Sequence, residues 1–191
     1  NIAADIELTQ GSHQEVVVKG SEKLIDDLTT DVIDGKWSIS YKTKKMGYND
    51  HLKITITIPD IRAIKLNSSG DITAEQKIES KSLMLAINGS GDIRMPLIIS
   101  DLDLSINGSG DIHIKGKADD VTASINGSGD IKASELNALR ATLSVNGSGD
   151  TEMHVSERIE ASINGSGDVR YSGDPAVKIR KHGSGTLKQQ Q

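Results

Sequence analysis

The chain of 191 residues contains no cysteine and no phenylalanine. Without cysteine there is no disulfide framework and no thiolate metal site. Aromatic residues make up 2%, one tryptophan and three tyrosines. A core of ordinary width would hold more rings, so the interior must be built from Ile, Leu and Val, with Ala and Met as fillers. That suits thin, regular coils better than a wide sandwich. Net charge is −5, which removes the bulk electrostatic case for nucleic acid. No apolar run approaches the roughly 20 residues of a transmembrane helix. Asn1 is not an initiator methionine, so either a boundary of the piece or a cleaved signal peptide is expected upstream.

Catalytic patterns are also scarce. The histidines, His13, His51, His113, His154 and His182, form neither HExxH nor H-x-H. GSGD has the wrong residues around its serine for a nucleophile elbow. Sugar-cleaving β-helix enzymes use carboxylate clusters in clefts framed by long loops and aromatic platforms, and this chain has almost no aromatics. No catalytic residue, no metal site and no cofactor is therefore expected.

What the chain has is repetition. SINGSGDI stands at Ser105–Ile112 and again at Ser124–Ile131, with near-copies from Ala86, Ser144 and Ser162. Aligned on the Asn, the corners fall at Asn67, Asn88, Asn107, Asn126, Asn146 and Asn164, with His182 closing the series. Their spacings are 21, 19, 19, 20, 18 and 18. Before each Asn, apolar residues alternate with polar or small ones, as in Leu102, Leu104 and Ile106. After each Asp the alternation resumes, as in Ile112 and Ile114. Period 2 is a strand with one buried face.

A lap of about 19 residues is too short for a βαβ unit or a propeller blade. It fits one coil of a parallel β-solenoid, whose equivalent residues lie about 4.8 Å apart in neighbouring rungs. The expected fold is all-β, a β-helix of about seven rungs with an N-terminal antiparallel β-sheet capping region. The drift in lap length and the Gly-Ser-Gly corner favour a right-handed coil over a left-handed hexapeptide helix. The return segments Pro96–Asp101, Lys115–Asp120 and Ser134–Arg140 hold the length differences and read as loops.

Residues 1–60 lack the octet. Ile6–Leu8, Glu15–Lys19, Asp31–Ile33, Trp37–Tyr41 and Leu52–Ile58 read as strands, Lys23–Leu28 as a short helical turn and Thr43–Asp50 as a polar loop. Asp34-Gly35 is a hairpin signal. The division expected is 1–60 as an antiparallel cap and 61–191 as the solenoid. The cap would cover an end that otherwise presents unpaired backbone. The last rung is blunted by Lys178, Arg180, Lys181 and Lys188.

Each octet column has its own reading. The glycines supply positive φ at the corner. Asn88, Asn107, Asn126, Asn146 and Asn164 form a structural ladder of side-chain amides. Their N-x-S glycosylation pattern is discounted, because a tightly wound corner is a poor acceptor. The Asp column runs Asp71, Asp92, Asp111, Asp130, Asp150 and Asp168. Like charges about 4.8 Å apart repel by roughly 1 kcal/mol even in water. Compensation is available two residues on, from Arg94, His113, Lys132 and Arg170, with Glu152 breaking the series. The corner serines and the corner backbone amides can also donate to the carboxylates. A weaker alternative is calcium on Asp92, Asp111, Asp130, Asp150 and Asp168, but no second carboxylate recurs within the corner. Ala86, Ser105, Ser124, Ser144 and Ser162 form a flat outward stripe of small residues. It suits another protein layer, a second copy or ordered water.

Three blocks occur in a specific order: IELTQGSHQEVVVKGSEKLIDDLTTDVIDGKWSISYK, LKITITIPDIRAIKLNSSGDI and the INGSGDI repeats. In this the chain resembles the putative auto-transporter adhesin, head GIN domain family of bacterial envelope proteins found in Bacteroidota. The resemblance implies a β-solenoid body and a secreted or outer-surface protein, often a lipoprotein, and brings no catalytic residues with it. SSGD at the first rung and HGSGT at the last depart from the repeat and read as capping variants.

The function expected is a non-catalytic structural or interaction module of the cell envelope, adhesin-like. Its partner would be a protein or glycan at the cell surface, with self-association through the stripe, and neither nucleic acid nor a transmembrane segment is involved. The location expected is outside the cytoplasm, secreted or anchored to the outer membrane. The alternatives are a carbohydrate-binding or carbohydrate-processing β-helix and a calcium-stabilised solenoid.

Overall fold

The computed structural model describes residues 4–29, 31–43 and 52–190. The N-terminal part holds β1 (Ala4–Gln10), β2 (Glu15–Lys19), α1 (Glu22–Asp26), β3 (Val32–Ile33), β4 (Lys36–Trp37) and β5 (Leu52–Ile58). The repeats form β6 (Ala63–Leu66), β7 (Ile72–Thr73), β8 (Ile78–Ile87), β9 (Ile93–Gly108) and β10 (Ile112–Gly127). They continue as β11 (Ile131–Gly147), β12 (Thr151–Gly165), β13 (Val169–Ser172), β14 (Ala176–Gly183) and β15 (Leu187–Gln189).

Every pairing within the repeat region is parallel. The octets align residue for residue, as in Ser105↔Ser124↔Ser144 and Asn107↔Asn126↔Asn146. The result is a parallel β-solenoid of about seven turns with an antiparallel β-pair at its N-terminus. The core is the stack of inward columns. Ile87, Ile106, Ile125, Val145 and Ile163 fill one of them, each almost fully buried. A column of branched aliphatics packs at the narrow spacing of stacked rungs, which explains how the chain manages without phenylalanine.

The return segments are not loops. They lie inside the long strands β9, β10 and β11 and bury Leu97, Ile99, Ala118, Leu136 and Ala138. These side chains form a third wall of the core, so the backbone keeps its rung-to-rung bonds right round the lap. Length differences are absorbed by register shifts between His113 and Gly116 and between Ala133 and Asn137.

The N-terminal strands are joined to the solenoid. β2 pairs antiparallel with β5, while β1 pairs parallel with both β5 and β7. The Ile6 N–H donates to the Asp71 carbonyl at 2.8 Å. The solenoid rungs repeat that bond, as in Ile93 to Asp111 at 2.9 Å. The Gln10 amide ties β1 to the edge of β8, donating to the carbonyls of Pro59 and Glu79 and accepting the Glu79 N–H.

Leu24 and Leu28 pack on Ala4, Leu52 and Ile54 as a second small core. β3 and β4 form the hairpin that Asp34-Gly35 signals, both residues at positive φ, 51° and 73°. That is the two-residue turn whose twist matches the flanking strands. Strand structure ends at Trp37, short of the expected Tyr41, which forms an isolated bridge to Leu28. The Trp37 indole leaves the hairpin to donate to the Thr29 carbonyl. The polar loop expected at Thr43–Asp50 lies, apart from Thr43, outside the described residues.

Candidate functional site

The outward columns beside the corners carry the side chains that repeat most faithfully. The asparagines stand in a line. Each Nδ2 donates to the Oδ1 of the preceding rung: Asn88 to Asn67 at 2.8 Å, Asn107 to Asn88 at 2.9 Å and Asn126 to Asn107 at 3.1 Å. Asn146 continues to Asn126 at 3.1 Å and Asn164 to Asn146 at 2.9 Å. An amide both donates and accepts, so identical side chains bond one another along a stack.

The aspartates accept corner backbone amides, as expected, and they take them from the next rung. Each Oδ1 accepts the backbone N–H of the Asp one rung later, from Asp92 on Asp71 at 3.0 Å to Asp168 on Asp150 at 2.8 Å. At the last rung Thr186 takes the place of Asp and gives both its N–H and its hydroxyl to Asp168 Oδ1. This clamp is the donation expected from the corner backbone amides; the one expected from the corner serines is not made among the described residues. The N–H groups of Ser109, Ser128, Ser148 and Ser166 bond glycine carbonyls of the previous rung, as in Ser128 to Gly108 at 2.9 Å, and that of Ser90 bonds the Ser68 carbonyl.

Each Oδ2 faces the basic column. Arg94 binds Asp92 at 2.6 Å and Lys132 reaches back a rung to Asp111 at 2.6 Å. Arg170 reaches back to Asp150 at 2.9 Å and also touches Glu152 and Asp168 at 3.4 Å. The cations bridge rungs diagonally, so Glu152 is covered by the next rung's arginine. Partial burial pulls the Asp111 carboxyl up. The Lys132 hydrogen bond, the Asp130 N–H and the charges of Lys132 and His113 outweigh it and leave it below the ordinary range. Asp168 is also lowered, by the Thr186 hydroxyl and then the Thr186 N–H. The two oxygens thus already hold an N–H and a cation. Among the described residues no three acidic or histidine side chains converge as a metal set.

Both glycines of a corner sit against the rung before, and a Cβ on Gly108 would stand 2.2 Å from the Gly89 carbonyl oxygen. From Gly108 on, the first also has positive φ, 147° at Gly108 and Gly127. The second does not, yet a Cβ on Gly110 would stand 2.1 Å from the Gly91 carbonyl oxygen. Neighbouring rungs are too close at that column for any side chain. At the first rung, Gly70 meets the Ala4 carbonyl in the same way, because β1 occupies the preceding level.

The stripe Ala86, Ser105, Ser124, Ser144 and Ser162 is in strict register. The serines are half-buried and Ala86 is almost covered. It runs as a shallow trough between the Asn ladder and a second outward column, Met84, Asp103, Thr122, Thr142 and Glu160. Lys65 and Arg180 close its two ends. A further column places Arg140 on Asp120 through two bonds of 2.7 Å and on Glu157 at 2.9 Å. Sequence reading misses this group, because its members fall in the returns. The two best-formed depressions hold only about 50 and 130 Å³, against the roughly 300–1,000 Å³ of small-molecule sites.

A filled solenoid with laddered corners and a long face in register is a scaffold class, one that presents a surface rather than enclosing a ligand. Within that class, residues 1–175 match the family described as putative auto-transporter adhesin, head GIN domain, and the chain belongs to it. Among solved structures, a putative adhesin from Bacteroides fragilis shares 26% identity at a TM-score of 0.91. A putative lipid binding protein from Parabacteroides distasonis shares 25% at 0.76, and a putative adhesin from Parabacteroides merdae 21% at 0.76. In each case the match covers 99% of this chain and 89% of the other. The last of these speaks for the fold alone. No curated protein matches the chain.

Proposed function

We propose that the chain is a non-catalytic interaction module of the bacterial cell surface, held outside the cytoplasm by secretion or an outer-membrane anchor. The observation that carries this reading is the long face of outward columns in register, on a body whose interior is filled by its own aliphatic side chains. The trough from Ala86 to Ser162 is the surface we assign to a protein or glycan partner, or to a second copy. Its small side chains let another backbone approach closely. Residues 1–60 act as the end cap of the 61–191 solenoid, a role supported by β1 and by the Gln10 side chain. The lipid-binding description of one structural neighbour fits this chain less well, since an acyl chain needs more room than the depressions described.

Retention from envelope extract tests the reading. Beads carrying the wild-type chain are expected to hold back a surface protein or glycan. The variant Ser105→Lys, Ser124→Lys, Ser144→Lys should lose it. Equal recovery by both removes the trough as the interface, and no retention by either removes the interaction reading.

A further inference from the structure

β2 is an outermost strand of the large sheet. It pairs with β5 on one side, and no described strand pairs with its other edge. The N-terminal strands cover the first rung and so move the edge outward, through β1 and β5, to β2. Strand edges are commonly blunted by a charge or a proline in mid-strand or by a bulge. β2 has none of these. It reads Glu15-Val16-Val17-Val18-Lys19, in unbroken register with β5. Val16 and Val17 point to opposite faces of the sheet, and they are 47% and 40% exposed. Val18 is half-buried, packed against the small core that holds Leu24 and Ile54.

The order of residues in β2 is its own antiparallel complement. Turned about a two-fold axis through Val17, a second copy sets Glu15 against Lys19, Val16 against Val18 and Val17 against itself. Opposite charges directly across a strand pair stabilise it, and like charges destabilise it. A register shift of one residue parts the charges and mixes the two faces. Within its own sheet Lys19 stands directly opposite Lys53, which is held by Glu7 at 3.1 Å. That like-charged neighbour favours a carboxylate on the free side of Lys19. Glu15 touches His13 at 3.7 Å with both side chains well exposed, so its carboxylate can turn to a lysine across the edge. A contact of this kind uses the same patch on both copies and closes on itself, so it makes a dimer and not a fibre.

We infer that two copies of the chain join antiparallel through their β2 edges, forming a two-fold dimer with one continuous sheet. The two solenoids then lie cap to cap, and their repeats lead away from the axis in opposite directions. Each particle presents its outward columns twice, which raises avidity for a repeated partner. The edge shares no residue with the trough, so it stands or falls by itself. A pairing of five residues is a small interface, and the dimer is expected to dissociate on dilution.

Sedimentation velocity of the full chain over a concentration series tests this. The wild type is expected to pass from one chain to two as concentration rises. Glu15→Lys alone sets two lysine pairs across the axis, and Lys19→Glu alone sets two glutamate pairs. Two exposed ion pairs are together worth up to about tenfold in affinity, so each single variant should dimerise at least about tenfold more weakly. Mixed in equal amounts, the two variants regain opposite charges at both ends and should pair with each other about as tightly as the wild type pairs with itself. Both positions are exposed, and melting curves check that the variants stay folded. A wild-type chain that stays monomeric throughout the series overturns the inference. So do single variants that dimerise as the wild type does, or that fail to pair when mixed. The Ser105→Lys, Ser124→Lys, Ser144→Lys variant should dimerise as the wild type does. A loss of the dimer confined to that variant would assign the self-contact to the trough and overturn the inference.

Discussion

Asp130 Oδ1 accepts the backbone N–H of Asp150, 20 residues further on, at 2.8 Å. The same clamp joins every pair of neighbouring rungs from Asp71 to Thr186. A backbone N–H bonded to a carboxylate is worth about 1.5–3 kcal/mol. Asp130→Ala is expected to destabilise by about 2 kcal/mol, because the Asp150 N–H loses its acceptor inside a packed stack. Asp130→Asn should cost less, since its amide oxygen can still accept. Urea midpoints of the two variants check the order, and equal losses would mean that charge rather than the clamp matters.

Gly110 and Gly35 separate two kinds of glycine. A Cβ on Gly110 would meet the Gly91 carbonyl oxygen at 2.1 Å, backbone that cannot yield without opening the rungs. Gly35 has φ +73° with nothing within 4 Å. Gly110→Ala is expected to cost about 3 kcal/mol or more, and Gly35→Ala about 1 kcal/mol. Thermal melts distinguish them, and similar losses would contradict the close approach.

Acid should loosen the charge columns. A depressed carboxyl contributes its stability fully above its unfolded pKa and loses it as pH falls through the lower folded value. For Asp111 and Asp168, both lowered, the loss sets in as pH drops through about 4 and continues below. Lys132→Met removes the strongest of the interactions that together outweigh burial at Asp111. The gap in urea midpoint between wild type and this variant is expected to be larger at neutral pH than near pH 3. A gap that is the same at both would assign the effect to packing.

Gln10 fastens the N-terminal strands to the second full rung. Its side chain makes three hydrogen bonds, two to Glu79 and one to Pro59. Gln10→Ala is expected to cost about 1–2 kcal/mol and to raise hydrogen exchange in β1 and the start of β8 before the rest of the solenoid. Unchanged exchange there would show that β1 is held by its strand partners alone.

Ile106, Ile125 and Val145 were legible as core because a solenoid writes one lap as one sequence period. The hairpin at Asp34-Gly35 was legible because its turn is local. Leu97, Ile99 and Leu136 were hidden, since the returns vary in length and break the alternation that marks a strand. The candidate trough was visible as a column of small residues. Its depth and its charged ends were not, because they depend on which residues of neighbouring rungs stand beside it.

By itself, then, the amino-acid order determined the lap, the inward columns and the corners, because each is set by spacings of a few residues. The tertiary structure decided what depends on contacts between rungs 18 to 21 residues apart. It placed β1 between β5 and β7, which needs a pairing across more than 60 residues of chain. It also showed that the second glycine of each corner answers to the carbonyl of the rung before it. And it leaves Val177 and Ile179 about half exposed, although their alternation matches that of the buried rungs, because burial needs a strand stacked on each side and, among the described residues, β14 has one.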